Sequence, residues 1–212
     1  MSIQTVVDLR PKFGQIRNQG PRPTCMAFAA SDAHTFARGN QEPLSVEYAF
    51  FYAVQRKPVP DPTTGVPFSL ISAAVEFDGQ PLENGWPYQT KPVTVSTWKP
   101  PANPGELFHR GSVTGALSVD TICTSLDNAR PVMLIMDVSH TFFHASAGGV
   151  IGATTEPRIN THAVIAAGHG VTKNSRCILV RNSWGSRWAD QGYAWLHEQY
   201  LIPRLLLVGI MN

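Results

Sequence analysis

The run Asn18-Gln19-Gly20-Pro21-Arg22-Pro23-Thr24-Cys25-Met26-Ala27-Phe28-Ala29-Ala30 decides how the rest of the chain is read. A side-chain amide and a turn-forming segment lead to a cysteine, and an apolar, helix-forming run follows at once. This order puts one thiol in the first turn of a helix, with an amide donor six residues upstream. The first-turn N–H groups lack partners within the helix, and that end carries partial positive charge. A thiol there loses its proton more readily than one in water. The same stretch is equally compatible with a small buried core residue, the usual fate of a free cysteine.

Working outward, Thr24 is a candidate N-cap for this helix, or Pro23 serves as a rigid entry. Met26, Ala29, Ala30, Ala33, Phe36 and Ala37 share one face and Arg38-Gly39 supplies a stop, which predicts a central, largely buried helix. Ser45 caps a second helix from Val46 to about Arg56, with Glu47 in its first turn. Ser69 opens a third from Leu70 to about Phe77, ended by Asp78-Gly79. Between Gln80 and Pro104 six prolines (Pro81, Pro87, Pro92, Pro100, Pro101, Pro104) forbid a long regular element. A crossover near residue 105 follows. Beyond it one amphipathic helix, Ser118 to Ala129, precedes strand-like runs at Val132–Val138, His162–Ala167, Arg176–Asn182, Tyr193–His197 and Arg204–Ile210, separated by glycine turns. Residues 1–18 read as extended. The expected architecture is α+β: a helical half over about 15–105 and an antiparallel, barrel-like half over about 106–212. Residues 1–14 would run along the second half, and a cleft between the halves would hold the site.

The composition narrows the function. A chain of 212 residues with 43% hydrophobic and 15% charged residues supports a sizeable core. Its net charge of +2 comes with no block of Lys or Arg, which argues against nucleic acid or an anionic membrane as partner. No apolar run approaches the roughly 18 residues of a spanning helix, so no membrane insertion is expected. Met1-Ser2-Ile3-Gln4-Thr5 has neither a basic nor an apolar leader pattern, which predicts no Sec-type signal. The 3 cysteines (Cys25, Cys123, Cys177) are too few and odd in number for a disulfide framework. A reducing compartment, the cytoplasm, is expected, or export by a route other than Sec.

A nucleophilic thiol needs a base to take its proton, and the base needs an orienting group. Of the 7 histidines, His140 and His144 form an i, i+4 pair that could hold a metal. It lacks the intervening glutamate of the zinc-protease pattern and has no obvious third ligand, so no metal or other cofactor is expected. His34 lies within the first helix, His109 in the linker, His169 in a glycine turn and His197 near a strand end. His162 differs, because Asn160-Thr161-His162-Ala163-Val164-Ile165-Ala166-Ala167-Gly168 sets it at the mouth of a buried strand. The next strand ends at Asn182-Ser183-Trp184-Gly185. Adjacent antiparallel strands would bring His162 beside Asn182, with Trp184 free to cover their contact.

Three blocks in this order resemble the papain-like (C1) family of cysteine peptidases. They are Asn18-Gln19-Gly20 with Thr24-Cys25-Met26-Ala27-Phe28-Ala29, then Thr161-His162-Ala163-Val164, then Arg181-Asn182-Ser183-Trp184-Gly185-Ser186-Arg187-Trp188 with Gln191-Gly192-Tyr193. His162 follows Cys25 by 137 residues, within the family spacing of about 130–150, and Asn182 follows by 157, slightly beyond it. The resemblance implies a two-domain papain-like fold with the cleft between the domains, and a peptide or protein substrate. It implies Cys25 as nucleophile, in thiolate form paired with protonated His162, and Asn182 orienting the imidazole. The Gln19 side chain and the Cys25 backbone N–H would form the oxyanion hole. Trp184 would shield the His162–Asn182 bond. Gly65 would meet the substrate backbone, and Val66, Pro67, Ile135 and Ala163 would line the pocket for the second residue before the scissile bond, predicting a bulky apolar side chain there. Each of these apolar residues is also an ordinary core residue.

The chain departs from the family where Arg22-Pro23-Thr24-Cys25-Met26 replaces the usual Cys-Gly-Ser-Cys-Trp. Arg22 stands where one partner of a family disulfide would be, and Pro23 stiffens the loop beside the first substrate pocket. Met26 for tryptophan alters the packing behind the nucleophile. The resemblance is to bacterial-type members without a pro-segment, so none is expected before the first block. Two other readings share the residues. One is a deamidase or transamidase acting on protein glutamines through the same thioester. The other is a degenerate, non-catalytic binding homologue.

Overall fold

The computed structural model describes residues 2–173 and 175–212. The helical half is built on three helices. α1 (Cys25–Ala37) follows Thr24, whose side chain makes no capping bond; its Oγ1 pairs with Tyr88 Oη at 2.8 Å instead. Small residues make this helix possible at the centre of the molecule: Ala27 and Ala33 are wholly buried. α2 (Val46–Gln55) starts as expected, with Ser45 Oγ accepting the Tyr48 N–H at 3.1 Å and donating to Trp86 O at 2.7 Å. One hydroxyl thus caps the helix and ties it to the following loop. α3 (Phe68–Ala73) has Pro67, not Ser69, at its N-cap, and its continuation over 74–78 widens into π-helical turns. Gly79 closes this element at φ +76°, with Gly79 packed so close to the His109 ring that a Cβ would lie 2.9 Å from it.

The second half is one mainly antiparallel sheet. Its strands are β1 (Gln4–Asp8), β2 (Ser112–Gly115), β3 (Val132–Val138), β4 (Val150–Ile151), β5 (Asn160–Val171), β6 (Arg176–Arg181), β7 (Tyr193–His197) and β8 (Leu205–Met211). They run in the order β2-β8-β3-β5-β6-β7-β4, with β1 added against β5; only β4–β7 is parallel. The barrel-like half is therefore an open sheet among the described residues, with β2 and β4 at its edges. Three further helices decorate it: α4 (Val119–Asp127), capped by Ser118 Oγ on the Thr121 N–H at 3.1 Å, and the short α5 (His140–Phe143) and α6 (Glu198–Leu201).

β5 is the hub. Its first half pairs with β3, its second half with β1, and β6 lies along the opposite edge. Gly168 and Gly170 permit this, since a Cβ at either would lie 2.4 Å from Val7 O or 2.7 Å from Gln4 O. The buried face of β5 packs on α1, so the two elements that carry Cys25 and His162 are neighbours.

Charge also joins the halves. Asp32 of α1 accepts from Arg17 Nη2 at 2.6 Å and from Arg181 Nε of β6 at 2.7 Å. Arg181 spends its remaining donors on Gly14 O, Gln15 O and Tyr193 Oη. Burial pushes the Asp32 carboxyl up, and the two guanidiniums outweigh it, holding the group below its ordinary range.

Candidate active site

Cys25 is the first residue of α1, and the chain leading into it is strapped to the end of β6. Gln19 N–H donates to Ser183 O at 2.8 Å and Gly185 N–H to Arg17 O at 3.1 Å, around an Asn18–Trp184 bridge. The Gln19 side chain is held at both ends: Oε1 accepts from Ser183 Oγ at 2.7 Å, and Nε2 donates to Arg22 O at 2.9 Å. The amide orientation is thereby fixed. Its second N–H makes no hydrogen bond among the described residues and is free to meet developing negative charge.

His162 sits near the start of β5, 5% exposed, with Nε2 2.8 Å from Asn182 Oδ1. That oxygen also accepts the Ser183 N–H at 2.8 Å, so it is an acceptor for both neighbours. The imidazole must donate through Nε2, which leaves Nδ1 as the basic nitrogen. Trp184 lies over this contact, its ring centroid 4.5 Å from that of His162. Burial pushes His162 down to about 4, against the pull of Asn182 in the other direction.

Burial likewise pushes the Cys25 thiol up, opposed by the backbone N–H groups of Ala163, Met26 and Cys25. The Ala163 N–H belongs to the residue after His162, which brings the nucleophile to the base. No Cys25–His162 hydrogen bond is formed among the described residues. Burial acts on each group singly, disfavouring its charged form.

The remaining expected residues are placed less tightly. Ile135 and Ala163 are direct register partners across β3 and β5. Val66 is buried, and Pro67 and Gly65 are exposed. Gly65 lies over the Pro23 carbonyl, where a Cβ would be 3.6 Å away, and the following Phe68 ring covers Gly209 on β8. The segment 65–68 therefore lies beside the nucleophile loop and on the same sheet that presents Ile135 and Ala163.

Three groups escaped the sequence reading. Ser183 locks Gln19, and its only sequence signal is its place beside Asn182. The other two are on α5: Phe142 packs edge-on to Trp184 at 5.5 Å, and Phe143 stacks on it at 4.7 Å. Trp188 Nε1 donates to Phe142 O at 3.0 Å and fixes that helix in place.

A half-buried thiol at a helix start, an imidazole oriented by an amide and a tethered second amide define a thiol-nucleophile site on an α+β scaffold. Comparison with known proteins narrows the class. The family description "Papain family cysteine protease" matches residues 3–201, and the chain belongs to that family. It is 30% identical over 131 residues to cysteine proteinase 3 of Entamoeba histolytica, covering 61% of this chain and 41% of that protein. It is 24% identical over 203 residues to a cysteine protease of Blomia tropicalis, covering 89% and 59% respectively. The chain thus spans about half the length of the curated relatives it matches. Among solved structures, xylellain, a cysteine protease from Xylella fastidiosa, superposes over 100% of this chain and 87% of its own, with TM-score 0.78 and 19% identity, a likeness of fold.

Proposed function

We propose that the protein is a cysteine peptidase. His162 Nδ1 takes the Cys25 proton as the sulfur attacks the peptide carbonyl, and the resulting oxyanion is met by the Cys25 backbone N–H and the free N–H of Gln19. Collapse of this intermediate breaks the C–N bond, with His162 returning the proton to the leaving amine nitrogen. A thioester on Cys25 remains. Water, deprotonated by His162, then releases the acid and restores the thiol. The observation that carries this reading is the buried His162 Nε2–Asn182 Oδ1 bond of 2.8 Å, which reserves Nδ1 for proton transfer.

The substrate is an extended peptide or protein segment. Gly65 contacts its backbone, and Val66, Pro67, Ile135 and Ala163 accept a bulky apolar side chain two residues before the scissile bond. Trp184 covers the leaving-group side. No helix among the described residues is long and apolar enough to cross a membrane. Cys25, Cys123 and Cys177 are all unpaired, which supports a reducing compartment such as the cytoplasm.

Iodoacetamide, followed by peptide mapping, is expected to label Cys25 well before Cys123 or Cys177, and Cys25→Ala to abolish cleavage of a peptide library. Equal labelling of the three thiols overturns the reading, and an unreactive Cys25 in folded protein makes the chain a binding homologue. Weighing the products formed with a free amine present distinguishes hydrolysis from deamidation or transamidation of glutamine.

A further inference from the structure

The loop between Gln19 and Cys25 is the part of the chain least like its family, and it is organised by a buried ion pair. The Arg22 and Glu47 side chains are 2% and 0% exposed. Arg22 Nη1 and Nη2 meet the two carboxylate oxygens of Glu47 at 2.7 and 3.0 Å in a two-pronged contact, and Nη1 also donates to Gln89 O at 2.6 Å. Glu47 is fully spoken for: its oxygens also accept Trp98 Nε1–H at 2.6 Å and the Gln89 N–H at 2.9 Å. The guanidinium lies 5.6 Å from the Phe50 ring, 5.1 Å from Tyr88 and 5.7 Å from Trp98, a dry aromatic box.

The other end of the same residue reaches the chemistry. The Arg22 carbonyl oxygen accepts both the Thr24 N–H, at 2.9 Å, and Gln19 Nε2, at 2.9 Å. Tyr88, which forms one wall of the box, donates its hydroxyl to Gln19 O at 2.8 Å. The peptide group that fixes one N–H of the Gln19 amide, and so aims the other, is therefore anchored through its own side chain to α2.

We propose that Arg22 is a positioning residue for the oxyanion hole. Its guanidinium, locked on Glu47, sets the Arg22 carbonyl that orients the Gln19 amide toward the developing oxyanion. The inference rests on the peptidase reading above. A planar fork with two parallel N–H groups holds one orientation, whereas an ammonium acts as a point charge and holds none. The effect falls on the transition state, because the oxyanion exists only there. It should lower kcat and leave KM nearly unchanged.

Arg22→Lys tests this. Removing a whole oxyanion-hole donor, as in Gln19→Ala, typically costs about 100- to 1,000-fold in kcat. Misaiming that donor is expected to cost about tenfold in kcat, with KM within about twofold. Alkylation of Cys25 by iodoacetamide builds no oxyanion and should change by less than about twofold. If Arg22 acts through Gln19, the double variant Arg22→Lys/Gln19→Ala is no slower than Gln19→Ala alone.

An unchanged kcat in Arg22→Lys, a fall in alkylation that parallels kcat, or losses that multiply in the double variant each overturn the proposal. If Arg22→Lys does not fold, Glu47→Asp keeps the charge but withdraws it from the same guanidinium fork, and there too a kcat equal to wild type overturns it. Preferential alkylation of Cys25 in the unsubstituted protein separates the two levels. Where it is absent the peptidase reading fails and this inference with it. Where it is present and kcat ignores Arg22, only the positioning role fails.

Discussion

Two buried arginine–carboxylate clusters flank the candidate site, and they differ in what they join. Arg22–Glu47 lies within the helical half, between the nucleophile loop and α2, sealed by aromatic rings. Arg17–Asp32–Arg181 spans the halves, tying α1 to the last residue of β6 and to the N-terminal segment. The first adjusts where one amide points. The second holds the element that starts with Cys25 against the element that ends beside Asn182. Chemically similar pairs therefore have separable effects: one on the reaction, the other on whether the two halves stay together.

The largest effect should come from breaking the spanning cluster. Asp32→Ala leaves two largely buried guanidiniums without a counter-charge, which typically costs about 3–5 kcal/mol. Urea denaturation should show this loss, and a change below about 1 kcal/mol would mean that the cluster is not what joins the halves. Asp32 also sets its own pH window. Its carboxyl is held below the ordinary 3.8, so its contribution is present above that pH and disappears as pH falls through its folded value.

Histidine burial sharpens the comparison at milder acidity. His34 on α1, whose Nδ1 lies 2.9 Å from Gln80 Oε1, and His162 on β5 are both pushed down by burial to about 4 from 6.5. The unfolded chain binds protons on these groups first, so stability is full above about pH 6.5 and falls as pH drops toward 4. Each contributes up to about 3 kcal/mol over that window. Urea midpoints at pH 7, 5.5 and 4.5 should trace the decline, and His34→Gln should remove about half of its slope. A slope unaltered by that substitution would assign the acid sensitivity elsewhere.

The smallest effects compare two helix caps. Ser45→Ala and Ser118→Ala each remove an N-cap, worth about 1 kcal/mol. Ser45 opens the helix that carries Glu47, so its loss should also lower kcat, whereas Ser118, which opens α4, should leave kcat unchanged. Equal kcat in both would detach α2 from the oxyanion loop.

The residues that could be read in advance carry their instructions locally. Ser45 announces a helix because a hydroxyl three residues before a backbone N–H can satisfy it. β3 and β7 are legible because an apolar run bounded by Arg130-Pro131 or Gly192 has few alternatives. Thr24 was legible as a cap position but not as a cap, because its hydroxyl has a better partner in Tyr88, 64 residues away. α5 has only four residues, too short to show a period, and β2 and β4 are too short to show alternation. In the site, Cys25, His162 and Asn182 were identifiable as blocks, whereas the Gln19–Ser183 and Arg22–Glu47 contacts join residues 164 and 25 apart with no pattern between them. In the sequence Arg22 marks only the place of a family cysteine. Its partner Glu47 emerges only when α2 and the loop are folded against each other.

The placement of β5 also dictates a schedule. Gln4 to Asp8 can be seated only when residues 168–171 are available, and β5 itself is held by β3 and β6. Local helices form in microseconds, while pairings across so much chain are slow. As the polypeptide leaves the ribosome, α1 and its thiol exist long before the base and its amide partner have been made. The first strand waits for the fifth, and Cys25 is made 137 residues before His162.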